Sequence, residues 1–305
     1  MASSSLPARL DVGFGPAFAA LCAGAAAMGV SPLFVRLAAA DMGPFASAFW
    51  RVFLALPVLY AWMRLEEART SAGAPRRSFG GATVLAGLAF SGDLFFWHLS
   101  ILNTTVANAT FFATTAPIFV VLIVWLVLRQ RVKPSTFAGL SLCLLGGAAL
   151  IGQSLEVAPA RIRGDAFGIV TAFFFGLYFL FIGRARSASG AARVTFESGV
   201  VTAAVLFGIA LLFDSRFLPR TWQGIAALAA MAFISQAGGQ GLLAVALGRL
   251  PAVFSSLVIF LEAVAAALFG WLILNEALSP TQALGGLLIL IGIWIARPKP
   301  EAPVA

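Results

Sequence analysis

The chain has 305 residues, of which 61% are hydrophobic and only 10% are charged. Soluble domains carry about 25% charged residues, so a soluble protein this apolar could not cover its surface with polar groups. The net charge of +8 would suit a nucleic-acid-binding protein, but the basic residues form short clusters between apolar runs. That arrangement is typical of the loops of membrane proteins. We therefore expect membrane lipid, and no nucleic acid, as a partner.

Ten segments are long enough to cross a bilayer, whose hydrocarbon core of about 30 Å needs about 20 residues of helix. They cover 15–37, 44–63, 81–102, 104–128, 135–153, 164–183, 194–213, 222–247, 251–274 and 279–296. The first follows Arg9 and resembles a signal peptide, but it is long enough to span, so we expect it to be retained. The runs lack the alternation of barrel strands. The predicted fold is an all-α integral membrane protein with ten transmembrane helices.

The basic residues predict the orientation of these helices. With ten helices, both ends of the chain lie on one side; if that side is the cytoplasm, 14 of the 20 Lys and Arg residues lie at inner ends or in inner loops. They are Arg9, Arg64, Arg69, Arg76, Arg77, Arg129, Arg131, Lys133, Arg184, Arg186, Arg193, Arg249, Arg297 and Lys299. The outer loops hold Arg36, Arg161, Arg163, Arg216 and Arg220. This excess predicts that both termini are cytoplasmic.

The second half of the chain repeats the first at a constant offset of 146 residues (271 − 125 = 146). Across 103–151 and 249–297 the matched pairs are Trp125 and Trp271, Pro134 and Pro280, Gly139 and Gly285, and Gly146 and Gly292. Five helices are followed by five related ones, 15–153 and 164–296, so the second copy enters the membrane from the opposite side. Such inverted repeats are typical of secondary transporters with alternating access. A structural membrane protein or a pore is the alternative.

Two stretches carry a resemblance to a known family. "FFATTAPIFVVLIVWLVL" ends the fourth segment, and "SLVIFLEAVAAALFGWLILNEALSPTQALGG" joins the ninth to the tenth. With the ten helices and the five-plus-five repeat, the chain resembles the EamA-type exporters of the drug/metabolite transporter superfamily. That family often has an acidic residue after its fourth and ninth helices; here Glu276 is present but its counterpart is Gln130.

The resemblance implies a basket of helices around a central cavity. Helices 1, 3, 4, 6, 8 and 9 would line the cavity, and helices 5 and 10 would be peripheral. Within the superfamily the chain looks most like bacterial inner-membrane exporters of aromatic and other neutral amino acids.

The third helix holds the densest group of polar candidates. Asp93 lies about 18 Å from the inner end, near the membrane midplane, and Trp97 is one helical turn further on the same face. His98 is the only histidine of the chain. Polar groups inside a membrane are costly, so Trp97 and His98 are candidates for substrate contact, and Asp93 or His98 for titration. The alternative is that they only bond neighbouring helices.

Further substrate candidates lie on three other helices. Gln236 and Gln240 are four residues apart on the eighth helix and would share a face. Asn108 is a candidate near the outer side of the fourth helix, and Tyr178 lies deep in the sixth. For the two glutamines, packing between helices is the open alternative.

Three more charged residues lie inside predicted helices. Glu262 lies about 16 Å into the ninth helix and is a candidate for proton coupling, unless it is a neutral acid bonded to a neighbouring helix. Arg51 and Glu197 are related by the 146-residue offset. Their depths in the membrane differ, so we expect them to have separate partners near opposite mouths.

These features predict a secondary transporter, not an enzyme, that exports small neutral or zwitterionic metabolites. We expect no catalytic residues, no cofactor and no metal site, because Walker-type, GxSxG and clustered ligand motifs are absent. Phosphorylated substrates would need fixed positive groups, and the helices offer only Arg51 and Arg36. An exporter of organic cations with a buried carboxylate, or a membrane-embedded enzyme, is the alternative. The protein is expected to be a monomer or a homodimer.

Overall fold

The computed structural model describes residues 13–69, 78–152, 159–274 and 279–298. Every regular element within these ranges is a helix. This follows from the sequence, because an apolar chain in lipid has no water to satisfy its backbone N–H and C=O groups and must pair them internally. The predicted all-α class is confirmed.

Ten helices follow one another along the described chain. Their membrane-spanning parts, beyond which some of the helices continue, are α1 (Phe14–Val35), α2 (Pro44–Arg69), α3 (Gly81–Asn103), α4 (Ala107–Val127), α5 (Pro134–Ile151), α6 (Pro159–Arg186), α7 (Ala191–Phe213), α8 (Trp222–Leu247), α9 (Ala252–Phe269) and α10 (Pro280–Ala296). The first nine are long and apolar enough to cross a membrane, and α10 is apolar with 17 residues. Their starts fall within five residues of those predicted from the sequence.

Three of these helices are broken just before an internal proline. Proline has no N–H for the carbonyl four residues earlier, and its ring crowds that carbonyl, so the helix kinks there. In each case the proline is the second residue of the later piece. The pieces are Phe14–Met28 and Ser31–Asp41 with Pro32, Pro44–Phe53 and Leu56–Arg69 with Pro57, and Val106–Thr114 and Ala116–Leu122 with Pro117.

The α9 helix is also broken, between Ala252–Val258 and Leu261–Leu274. Its break at Ile259–Phe260 corresponds to positions 113–114 of α4, directly before the α4 break at Thr115 (259 − 146 = 113). Interrupted helices at matching positions of two repeats are typical of the substrate-binding region of transporters. The breaks in α4 and α9 therefore point to the centre of the molecule.

The α5 and α10 helices pack so closely that only glycine fits at their contact. A Cβ added to Gly139 would lie 2.5 Å from the carbonyl oxygen of Gly292, and one added to Gly146 would lie 2.5 Å from that of Gly285. The sequence offset makes Gly285 the counterpart of Gly139 and Gly292 the counterpart of Gly146. Gly139 thus contacts the counterpart of Gly146, and Gly146 contacts the counterpart of Gly139, which is the pattern of an isologous two-fold interface.

The same contact gives the direction of the two halves. Residue numbers rise along α5 while those of the contacting residues fall along α10, so the two helices are antiparallel. The Cys143 thiol donates to the carbonyl of Ile289 at 3.7 Å, and these two residues are counterparts (143 + 146 = 289). A pseudo-two-fold axis therefore passes between them, and the repeat is inverted as predicted.

Other helix pairs obey the same symmetry. The offset relates α1 to α6 and α3 to α8, and α1 packs on α8 just as α6 packs on α3. A Cβ on Gly24 of α1 would lie 3.0 Å from the carbonyl oxygen of Gly239 in α8. A Cβ on Gly168 of α6 would lie 2.7 Å from the Phe112 side chain at the start of α4. Small residues thus allow close contact between the two halves.

Carboxylates from one half bind the helix N-termini of the other. Asp214 accepts a hydrogen bond from the N–H of Ala46 at 2.6 Å, and Glu66 accepts bonds from the N–H groups of Ala191 and Ala192 at 3.2 and 3.1 Å. Ala46 and Ala192 are counterparts, so these caps repeat the symmetry. Such carboxylates satisfy N–H groups that lack partners within the helix. Partial burial raises the pKa of Asp214 despite this bond.

Asp41 binds the start of α8 in the same way. It accepts hydrogen bonds from the N–H groups of Arg220 at 2.8 Å and Thr221 at 2.9 Å. The bond from Thr221 is the main reason that the pKa of Asp41 is lowered. This carboxylate therefore remains charged over a wider pH range and keeps the loop between α7 and α8 beside the end of α1.

Candidate functional site

A cavity that is partly open lies between the two halves. Seven helices contribute to its wall. The lining residues are Met28 and Ser31 (α1), Arg51 (α2), Phe90, Asp93, Leu94 and Trp97 (α3), Thr110 and Ala113 (α4), Phe175 (α6), Ser235 and Gln240 (α8), and Glu262 (α9). Six of these seven helices are the ones that the family resemblance predicts to line the cavity. The seventh is α2, which contributes Arg51 to the wall.

One guanidinium and two carboxyl groups face this cavity. Arg51 and Asp93 are 4% and 7% exposed, and Glu262 lies in the first turn after the break in α9. Arg51 donates a hydrogen bond to Ser235 Oγ at 3.2 Å, and its guanidinium carbon lies 6.0 Å from the centre of the Trp97 ring. Within the described residues, neither carboxyl forms an ion pair with Arg51. The charges therefore share one cavity without neutralising each other by direct contact.

Aromatic rings form much of the remaining wall. Phe90, Trp97 and Phe175 line the cavity. Tyr178 lies behind two of them, with its ring 4.8 Å from that of Phe90 and 6.2 Å from that of Phe175. The cavity thus combines opposite charges with flat apolar surfaces, which is how small-molecule sites fix both orientation and specificity.

The structure brings together only part of the predicted substrate contacts. Trp97, Gln240, Asp93 and Glu262 line the cavity, so their proposed roles in binding or proton coupling are consistent with their positions. Tyr178 is not among the lining residues, but it packs against Phe90 and Phe175, which are.

His98 lies outside the cavity wall. Its Nδ1 is hydrogen-bonded to the carbonyl of Leu94 at 2.7 Å, and its ring meets that of Trp97 edge to face. The His98 side chain is buried but is not among the lining residues, whereas Trp97 is. The expectation that His98 faces the cavity is therefore corrected, while Asp93 and Trp97, which were expected to share a face, both line it.

Asn108 lies at the end of the bundle. Its Nδ2 donates to Asp165 Oδ1 at 3.2 Å, and Thr104 Oγ1 donates to the same oxygen at 2.8 Å. These bonds join the start of α4 to α6. The structure therefore places Asn108 in a contact between helices, while Thr110 and Ala113, further along α4, line the cavity.

The α8 helix changes its winding where it passes the cavity. Met231–Gln240 is a π-helix, in which each N–H bonds to the carbonyl five residues earlier. Residues five apart therefore come close to one face, and Ser235 lines the cavity with Gln240. The α-helical spacing predicted that Gln236 and Gln240 share a face, but Gln236 is not among the lining residues. Both glutamines are buried, and the Oε1 of each lacks a hydrogen-bond partner among the described residues.

Arg51 and Glu197 have separate partners, as predicted. Glu197 accepts hydrogen bonds from Ser78 Oγ at 3.1 Å, from the Phe79 N–H at 2.9 Å and from Arg193 at 2.9 Å. Arg193 also bonds to Glu67. Arg51, however, was expected near a mouth, and the structure places it in the wall of the central cavity.

Several cavity residues carried no signal in the sequence. Ser235, Met28 and the phenylalanines lie within apolar runs where most neighbours are of the same kind. A buried Ser can bond its own helix, so its type alone does not indicate a site. Arg51 did carry a signal, because a lone arginine inside a membrane helix is costly. Its side chain reaches the cavity beside Ser235 of α8, a contact between distant helices that the sequence does not show.

Some predictions fall outside the described residues. These are the acidic position Glu276 and the basic residues Arg9, Arg76, Arg77 and Lys299 that enter the orientation argument. In the part of the chain that is described, no three or more His, Cys, Asp or Glu side chains form a group that could hold a metal ion.

Comparison with known proteins agrees with this architecture. The model of the EamA-like transporter family matches residues 15–152 and again 162–297. Two uncharacterized transporters of Archaeoglobus fulgidus are 24% and 27% identical over 276 and 279 residues, covering 88% and 91% of this chain and 92% and 95% of their own.

A solved crystal structure supports the fold. It has a TM-score of 0.76 at 18% sequence identity and covers 92% of this chain and 95% of its own. At this identity the likeness concerns the fold alone. Together with the family match over both halves, these findings show that the chain belongs to the EamA-like transporter family and is a multi-pass membrane transporter.

Proposed function

We propose that the protein exports small neutral or zwitterionic metabolites, with aromatic or hydrophobic amino acids as the preferred class. The observation that carries this proposal is the cavity in which Arg51, Asp93 and Glu262 converge among aromatic rings. An amino acid has an anionic carboxylate, a cationic ammonium group and a side chain, and each has a complementary surface there. Charge-assisted hydrogen bonds are stronger than neutral ones, so such a site would distinguish zwitterions from uncharged molecules.

Transport is proposed to occur by alternating access of the two inverted halves. The cavity lies between the halves, and the matched breaks in α4 and α9 lie where α4 and α9 pass it. Broken helices can change direction at few residues, so rocking of one half against the other needs little rearrangement elsewhere. The asymmetry of Lys and Arg between the loops supports an orientation with both termini in the cytoplasm of a bacterial inner membrane.

The test is a flux measurement with purified protein in liposomes. Labelled phenylalanine, leucine, glutamate and lysine would be loaded or added outside, with and without a pH gradient. We expect phenylalanine and leucine to move at rates well above protein-free liposomes, and glutamate and lysine to move poorly. Absence of any amino-acid movement, with the protein folded and correctly inserted, would rule out the proposed substrate class.

An organic-cation exporter is a second candidate, favoured by one specific observation. Among the described residues that line the cavity there are two carboxyl groups and one guanidinium, so the site would attract cations if both carboxyls are ionised. The same liposomes distinguish the candidates: a cation exporter would move quaternary ammonium dyes and not phenylalanine.

A further inference from the structure

Arg51 is a buried cation whose bonds in the structure are few. It is 4% exposed, its Nε has no hydrogen-bond partner among the described residues, and one terminal nitrogen donates to the neutral hydroxyl of Ser235. The ring of Trp97 lies 6.0 Å from the guanidinium carbon. A guanidinium has five N–H donors, so most of its hydrogen-bonding capacity is unused.

The position of this cation is set by two neighbours rather than by a counter-ion. Ser235 comes from α8 and Trp97 from α3, so helices of both halves hold the guanidinium against the cavity. Hydroxyl and ring contacts orient a guanidinium but do not neutralise it. A desolvated charge without direct pairing is costly, and such positions in membrane proteins are generally kept for a ligand.

We propose that Arg51 binds the carboxylate of the substrate and thereby decides that the transporter takes amino acids rather than amines. This proposal rests on the proposed function, because it assigns one end of the amino acid to one residue. The planar fork of a guanidinium matches the two oxygens of a carboxylate, which gives orientation as well as attraction. The ammonium group of the substrate then faces Asp93 and Glu262.

The remaining charges make the proposal specific. Without Arg51, the cavity keeps two carboxyl groups and its aromatic wall, which together suit an aromatic amine. Removal of the Arg51 charge should therefore do more than weaken transport. It should change the preferred ligand from an amino acid to its decarboxylated counterpart.

The wild-type protein is tested first with three probes of one shape: phenylalanine, 2-phenylethylamine and 3-phenylpropionate. Two readouts are used, inhibition of labelled phenylalanine flux in liposomes and ligand-induced thermal stabilisation of the protein in detergent. We expect phenylalanine to bind about tenfold or more tightly than the amine, because the amine lacks the carboxylate that Arg51 bonds. Equal affinity for phenylalanine and 2-phenylethylamine in the wild type would overturn the proposal.

The variants are Arg51→Gln, Arg51→Lys and Ser235→Ala, with Arg216→Gln as the matched control at an exposed loop position. Arg51→Gln should reverse the preference, so that 2-phenylethylamine becomes the better ligand. Arg51→Lys keeps the charge without the fork and should retain a reduced preference for phenylalanine. Ser235→Ala should weaken phenylalanine binding less than Arg51→Gln does, since it removes only an orienting contact. Arg216→Gln should match the wild type.

The outcomes separate this proposal from the proposed function. Phenylalanine flux with an unchanged preference in Arg51→Gln would overturn the role of Arg51 and leave the proposed function standing. Absence of amino-acid flux together with Arg51-dependent binding of 3-phenylpropionate would overturn the proposed function and support the carboxylate site. If Arg51→Gln does not fold, Arg51→Lys and Ser235→Ala provide the test, and a reduced preference for phenylalanine over 2-phenylethylamine in these variants supports the proposal. An undiminished preference for phenylalanine in both variants would contradict it.

Discussion

At the scale of single residues, the side chains of α8 that line the cavity depend on its π-helical winding, in which each N–H bonds to the carbonyl five residues earlier instead of four. In the π-helix, Ser235 and Gln240 face the cavity and Gln236 does not. Ordinary α-helical winding would bring Gln236 to the face of Gln240 instead. The two windings therefore assign substrate contact to different side chains.

Substitution of these glutamines tells the two windings apart. We expect Gln240→Ala to raise the KM of transport about threefold to tenfold, which corresponds to the loss of one hydrogen bond. Gln236→Ala should change KM less, because Gln240 lines the cavity and Gln236 is not among the lining residues. Concentration-dependent flux in liposomes measures both. A larger effect of Gln236→Ala than of Gln240→Ala would show that the π-helical register is wrong.

Residue type alone identified Asp93, Trp97, Gln240 and Glu262 as candidates, and all four line the cavity. Polar groups are rare in this apolar chain, so each one narrows the search. The direction of each side chain was the part that could not be predicted. His98 lies outside the cavity wall, and Arg51 lies in it beside Ser235 of α8, and neither position follows from residue type.

At the scale of helices, the contact between α5 and α10 joins the two halves. Its four glycines allow the backbones to approach until carbonyl oxygens lie 2.5–2.7 Å from the places where Cβ atoms would be. Close approach of this kind gains dispersion contacts that lipid chains would not supply, so it stabilises the contact between the two halves. Both helices are absent from the cavity wall among the described residues, which agrees with a structural role.

An alanine in this contact should destabilise the protein. For Gly139→Ala we expect a loss of about 1–3 kcal/mol, because the new methyl group meets the Gly292 carbonyl, a backbone atom that cannot move aside cheaply. The matched control is Gly208→Ala in α7, where an added Cβ has no neighbour within 4 Å. Thermal unfolding in detergent measures both variants. A Gly139→Ala protein as stable as the Gly208→Ala control would show that α5 and α10 do not pack as described.

Helix number and order follow from the sequence because each span is a long apolar run between short polar loops. The breaks were only partly predictable. Pro32, Pro57 and Pro117 mark three of them by removing a backbone donor. The break at Ile259–Phe260 has no proline beside it, and only its near-correspondence with the break at Thr115 relates it to the rest (259 − 146 = 113). The π-helix in α8 likewise has no marker that distinguishes it from α-helical winding.

At the scale of the whole molecule, the repeat was predictable in some detail. The 146-residue offset matched glycines that turn out to contact one another across a pseudo-two-fold axis. An odd number of helices in each repeat requires that the copies be inverted, so the symmetry follows from counting. What counting does not give is the tilt of each helix, which decides where the cavity lies and which residues it contains.

The function of the molecule depends on one cavity that both halves share. The cavity lies between elements related by the axis, so exchange of the conformations of the two halves would turn its opening from one face to the other. The same residues would then bind substrate in both orientations. Ala113 is suited to detect this, because it lines the cavity and its side chain is small enough to be replaced by cysteine.

The most direct measurement is labelling of Ala113→Cys by a membrane-impermeant maleimide in right-side-out and inside-out vesicles. Cys22 and Cys143 would first be replaced so that residue 113 carries the reactive thiol. We predict labelling in both kinds of vesicle, slowed in both by phenylalanine. Labelling from one face alone, with or without phenylalanine, would contradict a cavity that opens alternately to the two sides.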